Sequence, residues 1–227
     1  MNRPGMFKIG TVGAAIPNCR VEIDSSVVEP DAEDGEIIVY GQMVMKGYWN
    51  KPEETAAVLV DGWLRTGDVG HLDDCGYLTI TDRIKDIIVT SNGKNIAPSS
   101  IEGLLASDPL FEHTLLLGDN RPYLTLLVAQ SIPHLENVGR QLHLTWSHRD
   151  ELLGHPEVLA ELRRRVEALT TKLAGYEQIR DLRLLIEDFT LENGLLTPTL
   201  KVKRKEVERR FSQLVDDMYE RAGRSRK

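Results

Sequence analysis

Over the first 81 residues, short runs of β-branched and aromatic residues alternate with turn formers. Cys19 to Ile23, Glu36 to Tyr40 and Tyr77 to Thr81 are each flanked by Gly, Pro, Asp or Asn, which predicts strands. They read as part of a β-rich unit rather than a whole one. After Asp82 to Lys85 the pattern changes: an apolar run at Ile87 to Val89 and a turn over Ser91 to Asn95 lead into PSSIEGLLAS, where Pro98 suits a first helical turn. His113 to Leu117 and Tyr123 to Ala129 follow as strands. From Glu157 to Leu173 the apolar positions Val158, Leu159, Leu162, Val166, Leu169 and Leu173 share one face while Arg163, Arg164 and Glu167 lie elsewhere, so an amphipathic helix packed on a core is predicted. A strand at Leu182 to Ile186 comes next. A final helix from about Lys203 carries Val207, Phe211, Leu214, Val215 and Met218 at three- and four-residue spacing. The interval Glu136 to His155 has no readable period, and the tail AGRSRK reads as frayed.

Mixed strands and helices after residue 85 imply a compact α+β domain following the β-rich segment. Composition agrees: 227 residues, 41% hydrophobic and 28% charged, suit a globular protein of one or two domains. The net charge of -7 gives no global basic field for nucleic acid, and the clusters at Arg163 to Arg165 and Lys201 to Arg204 are local. Cys19 and Cys75 stand far apart without metal-ligand spacing, which argues against a disulfide framework or zinc and fits a reducing cytoplasm. The six histidines show no HxH or HExxH spacing. No stretch approaches the roughly 18 apolar residues of a spanning helix, so membrane contact is expected to be peripheral at most, at the inner face.

The chemistry concentrates in GWLRTGDVGHLDDCGYLTITDRIKDIIVTSNGKNIAPSSIE. A carboxylate accepts hydrogen bonds well from a vicinal diol, and an arginine fork binds phosphate or ribose oxygens, so Asp68 with Arg83 could hold a nucleotide. Taken singly, each is an ordinary exposed residue. The same is true of Lys201 in KVKRK, a solvated charge by composition.

GEIIVYGQMVMKGYWNKPEETAAVLVDGWLRTGDVG, DRIKDIIVTSNGKNIAPSSIE and LLTPTLKVKR resemble, in order and spacing, the consecutive C-terminal motifs of the AMP-forming adenylating enzymes, specifically long-chain fatty-acid–CoA ligases. The resemblance covers about Gly5 to Phe211 and is weakest between Ser131 and His155. It implies activation of a fatty acid by ATP and magnesium to an acyl adenylate with release of pyrophosphate, then transfer of the acyl group to coenzyme A. It also implies a division at residues 84 and 85: residues 1–84 as the β-rich end of a large domain, and residues 85–227 as a small mobile α+β lid.

By the same resemblance Asp68 matches the aspartate that binds the ribose hydroxyls and Arg83 the arginine beside it. Lys85 takes the hinge position, where backbone freedom matters more than side-chain chemistry. Gly93 matches a glycine on the loop that lines the coenzyme A side, and it also reads as a hairpin glycine with positive φ. Lys201 matches the catalytic lysine that reaches the carboxylate and α-phosphate. The commoner family form has glycine immediately before this lysine, where this chain has Leu200, a departure shared by the long-chain subgroup. Tyr48, Trp49 and Glu36 match family positions too and are read as structural, the aromatics by packing and Glu36 as a strand-edge carboxylate.

Family enzymes run to more than twice this length. Their phosphate-cradling loop, their magnesium ligands and most of the acyl pocket have no counterpart here, so the chain is expected to need an upstream portion and to be inactive as a ligase by itself. Two other readings stand beside this one. An acyl-AMP ligase would hand its adenylate to a carrier protein, although the tight GYLTITDRIKD leaves little room for the insertion such relatives carry. A non-catalytic product would act as a binding or interaction module.

Overall fold

The computed structural model describes residues 1–27 and 34–224, and side chains through residue 220. The chain is α+β and divides into two compact units, Met1–Ile88 with Gly93–Ser100, and Val89–Asn92 with Ile101–Lys227. The chain thus changes unit three times between residues 88 and 101. No helix of the described residues is long and apolar enough to cross a membrane.

In the first unit β1 (Gly13–Ala14), β2 (Cys19–Asp24), β3 (Gly35–Gly41), β4 (Leu59–Val60), β5 (Trp63–Leu72) and β6 (Tyr77–Arg83) form an antiparallel sheet. Its order is β1-β6-β5-β3-β2, with β4 on β5. The helix α1 (Pro52–Val58) opens with proline and with Glu53 and Glu54 in its first turn, which complements its dipole. The predicted strands at 19–23, 36–40 and 77–81 are all present, one or two residues longer. The strand β5 does not follow from pattern: WLRTGDVGHL has no clean alternation and carries two glycines, and it forms because β3 and β6 pair with it on both edges.

The hydrophobic core of this unit is small. Ile37, Val69, Ile88 and Ile96 are buried, whereas Phe7, Ile9 and Ile80 are exposed. Tyr48 and Trp49 do not pack as expected: Trp49 is 89% exposed, because it sits in a turn where Lys51 N–H closes on the Tyr48 carbonyl and Asn50 is left-handed at φ 52°. Glu36 is likewise no edge carboxylate. It lies on β3, between β2 and β5, and is 3% exposed.

A short hairpin, β7 (Ile88–Val89) with β8 (Asn95–Ile96), brackets the turn predicted at 91–95. Then come α2 (Pro98–Leu105), β9 (His113–Leu117), β10 (Leu124–Ala129), α3 (Ile132–Gln141), α4 (Arg149–Leu153), α5 (Pro156–Leu169), β11 (Ile179–Leu184), α6 (Arg204–Arg210) and α7 (Ser212–Arg224). The second unit is built on the sheet β11-β10-β9, antiparallel between β9 and β10 and parallel between β10 and β11. A parallel pair requires a crossover, and α3, α4 and α5 supply it. All six residues of β10 are buried, as a strand covered on both faces must be.

Several boundaries shift. The amphipathic helix ends at Leu169 rather than Leu173, because the Thr170 hydroxyl donates back to the Val166 carbonyl and Gln178 Nε2 donates to the carbonyls of Thr170 and Leu173. The last strand lies at 179–184, not 182–186, since its register on β10 starts at Ile179. The final helix is two helices, broken at Phe211 with φ -105° and ψ 17°. Its apolar stripe nevertheless works as predicted: Val207 and Met218 are fully buried and Phe211, Leu214 and Val215 pack on the same cluster. The unreadable interval holds the end of α3 and all of α4. Of the tail expected to fray, residues 222–224 continue α7 and residues 225–227 lie outside those described.

Candidate functional site

The Asp68 region is built by a bulge. Across β3 and β5, Glu36 pairs with Val69 and Ile38 with Arg65, so Thr66, Gly67 and Asp68 together face Ile37 alone. The extra residues leave amides without strand partners, and side chains take them up. The Thr66 hydroxyl donates to the Ile37 carbonyl at 2.7 Å and accepts from Asp68 N–H at 3.1 Å. The buried Glu36 accepts from Gly67 N–H at 3.1 Å, and Gly67 takes φ 70°, which no other residue type adopts so easily. Glu36 also pairs with Arg65 at 2.5 Å, and Arg65 reaches Asp24 at 2.7 Å. Hydrogen bonds from the Ser26 hydroxyl and amide, with Arg65, hold the Asp24 carboxyl down at about 2.

On its other edge the bulge keeps Asp68 directly opposite Arg83 of β6. Arg83 Nε lies 2.9 Å from Asp68 Oδ1, with the aspartate partly covered and the arginine mostly exposed. Among the described residues Asp68 Oδ2 makes no hydrogen bond, so the carboxylate is oriented by one oxygen and open at the other. That arrangement can accept from a hydroxyl pair. Asp82, the neighbour of Arg83, is buried and accepts from Ser99 N–H at 2.8 Å, capping the first turn of α2 from a distant strand. Neither Glu36 nor Asp82 was singled out for these roles by sequence. The signal for both was a carboxylate inside a strand pattern, which needs a backbone or cationic partner if it is buried.

Lys85 follows within a single 3-10 turn, Ile84–Asp86, and is exposed. Gly93 is at φ 76°, and a Cβ there would meet nothing within 4 Å, so the backbone conformation and not crowding requires glycine within this unit.

Lys201 belongs to the second unit, on the turn TPTLK. Leu200 N–H donates to the Thr197 carbonyl at 2.8 Å and Thr197 N–H donates to the Lys201 carbonyl at 2.8 Å. The Thr197 hydroxyl accepts from Lys201 N–H at 3.0 Å and lies 3.0 Å from the Thr199 hydroxyl. The turn is closed below by a bridge between Leu196 and Val202 and by Lys203 N–H to the Leu195 carbonyl at 2.8 Å. Leu195 and Leu196 are buried in the cluster that holds Val207 and Met218, which anchors one arm of the turn. Leu200 closes the turn with φ 59°, in the left-handed region that bulky residues avoid. Lys201 itself is exposed, and among the described residues its ammonium makes no ion pair. No group of three His, Cys, Asp or Glu among the described residues could hold a metal ion.

Residues 85–223 match the family described as AMP-binding enzyme C-terminal domain. The chain is 37% identical over 94% of its length to the long-chain-fatty-acid–CoA ligase FadD15 of Mycobacterium tuberculosis, of which it spans 34%. It is 29% identical over 97% of its length to the long-chain-fatty-acid–CoA ligase ACSBG1 of Rattus norvegicus, of which it spans 33%. The chain thus spans about a third of the length of the curated relatives it matches. Among solved structures, the A domain of the carboxylic acid reductase from Segniliparus rugosus, in complex with AMP and a co-purified carboxylic acid, superposes with a TM-score of 0.73. That match covers 92% of this chain and 32% of the other at 24% identity, a likeness of fold.

Proposed function

Since the chain belongs to the AMP-binding enzyme C-terminal domain family, we propose that it is the C-terminal portion of an ATP-dependent long-chain fatty-acid–CoA ligase. The observation that carries this reading is the Asp68 carboxylate, fixed on a braced bulge by Arg83 with one oxygen left open. Such a group accepts from both hydroxyls of a ribose. Arg83, mostly exposed, keeps N–H donors for the nucleotide beside it.

The reaction proceeds in two displacements. A carboxylate oxygen of the fatty acid attacks the α-phosphorus of ATP, the bond to the bridging oxygen breaks, and pyrophosphate leaves. The sulfur of coenzyme A then attacks the acyl carbon, AMP leaves, and the thiol proton passes to solvent. Lys201 acts in the first step, where its ammonium stabilises charge gathering between the carboxylate and the α-phosphate. The four hydrogen bonds that close its turn fix the backbone while leaving the side chain unpaired, as a group that must be delivered to a substrate requires. Lys85 is the hinge of the lid and Gly93 lies on the loop facing coenzyme A. Magnesium does not fit the residues described, so its ligands belong to the upstream portion and no step here runs through it.

The chain alone, lacking phosphate-binding and magnesium-binding residues, is inactive as a ligase in this reading. The test is to combine it with the upstream portion of such a ligase and follow acyl-dependent pyrophosphate release. Lys201→Ala should lower the rate by about 10² to 10³ while nucleotide binding persists. Asp68→Ala should weaken nucleotide binding by about tenfold or more, the loss of charged hydrogen bonds. Rates equal to the parent for Lys201→Ala would remove the lysine from the mechanism.

A further inference from the structure

In β9, the edge strand of the second unit's sheet, Leu116 is fully buried, yet its outward amide and carbonyl have no fourth strand to pair with. Two side chains take the place of that strand. Glu102 Oε1, from α2, accepts from Leu116 N–H at 2.7 Å, and Arg204 Nη2, from α6, donates to the Leu116 carbonyl at 2.6 Å. The two are paired with each other at 2.7 Å and are both largely buried, with side-chain exposures of 18% and 19%.

Arg204 is also the first residue of α6 and stands three positions after Lys201. The start of α6 has no side-chain cap, and Lys201, Lys203, Arg204 and Lys205 crowd its N-terminus, where the helix dipole disfavours cations. Neither capping nor the dipole therefore explains why an arginine begins this helix. The strand edge does.

We propose that Glu102 and Arg204 form an edge clamp that positions the Lys201 turn, making them positioning residues for the adenylation step; this role in catalysis rests on the ligase reading above. The turn is closed on itself through Leu195, Leu196, Val202 and Lys203. One of its arms is fixed by burial of Leu195 and Leu196, and the clamp fixes the other to β9. Without the clamp the turn would keep its internal hydrogen bonds but pivot on the buried arm.

The test reads amide hydrogen exchange in the 227-residue chain, where no nucleotide is involved, so the ligase reading can fail without moving the result. Arg204→Met should speed exchange at Thr197, Leu200 and Lys203 about tenfold, the consequence of an unsatisfied buried carbonyl, while Leu127 on β10 keeps its rate. Glu102→Leu should match it, and the double variant should add nothing to either single change, because the two groups act as one unit. Exchanging the residues, Glu102→Arg with Arg204→Glu, should not restore the rates, since it offers a donor to an amide and an acceptor to a carbonyl. If Arg204→Met does not fold, Glu102→Gln, which keeps an acceptor for Leu116, should still quicken the turn by about threefold. Unchanged rates in the turn of a folded variant, additive losses, or rescue by the exchanged pair would overturn the proposal.

Discussion

The two units solve the same problem of holding a polar side chain in place, with different means. In the second unit Leu115, Leu116, Leu124, Leu126, Leu127, Leu135, Val158 and Leu162 are fully buried, and the Lys201 turn is hung from that core through Leu195 and Leu196. In the first, the buried apolar residues are few, and Asp68 is held by backbone register and by buried polar groups, Glu36, Thr66 and Arg65. A group held by strand pairing is as rigid as the sheet beneath it and depends on every neighbouring strand. A group held by a turn on a dense core depends on two or three anchors. The first unit should therefore be the more fragile and its site the more easily lost.

The sharpest break of that comparison is Gly70→Ala. A Cβ at Gly70 would lie 2.0 Å from the Thr79 carbonyl oxygen of β6, a backbone atom that cannot turn away. The strands must part at the step next to the Asp68 and Arg83 pairing. We expect a loss of about 3 kcal/mol or more from the first unit, read from Trp63 fluorescence during denaturation, with the helical signal of the second unit unchanged. A wild-type midpoint would mean that the sheet yields there, and that register is not what holds Asp68.

Acid gives a gentler and more general version. The Asp24 carboxyl in the first unit and the Glu161 carboxyl in the second, the latter bound by Arg164 and then Arg165, both sit near about 2, below ordinary values of 3.8 and 4.5. Folded values below unfolded ones contribute stability that is present above the unfolded values and is lost as pH falls through them toward 2. Both units weaken over the same window, so the difference in core decides the order. The sheet unit should unfold at the higher pH, giving two separated acid transitions by Trp63 fluorescence and helical circular dichroism. One coincident transition would show that the units are not independently stable.

What the sequence made legible follows the same division. The second unit's elements came through because burial imposes a period: the stripe Val158, Leu162 and Val166 and the stripe Val207, Phe211, Leu214 and Met218 both lie on the core. Its misplaced ends came from polar side chains that stop a helix by bonding back, Thr170 above all. In the first unit β5 was hidden, because a strand with partners on both edges needs no alternation of its own, and its bulge puts the informative residues out of phase. Asp68, Arg83 and Lys201 were legible as motif residues, but the carboxylates that brace them, Glu36, Asp82 and Glu102, were not. Their partners are backbone amides far along the chain, at Gly67, Ser99 and Leu116, and no local pattern encodes such a pairing.

The smallest effect tests whether the second unit's turn is as relaxed as its core suggests. Leu200 is 63% exposed, so its side chain contributes little burial, and its φ of 59° costs about 1–2 kcal/mol relative to a right-handed or extended residue. Glycine removes that cost but loses about 0.5–1 kcal/mol through the freedom it gains in the unfolded chain. Leu200→Gly should therefore raise stability by about 0.5–1 kcal/mol, a rise of about 1–4 °C in melting temperature for a chain of this size. Leu200→Ala keeps the Cβ and with it the backbone cost, so it should change little. An equal gain from both substitutions would trace the cost to the exposed leucine side chain instead of the backbone, and the turn that carries Lys201 would then be unstrained.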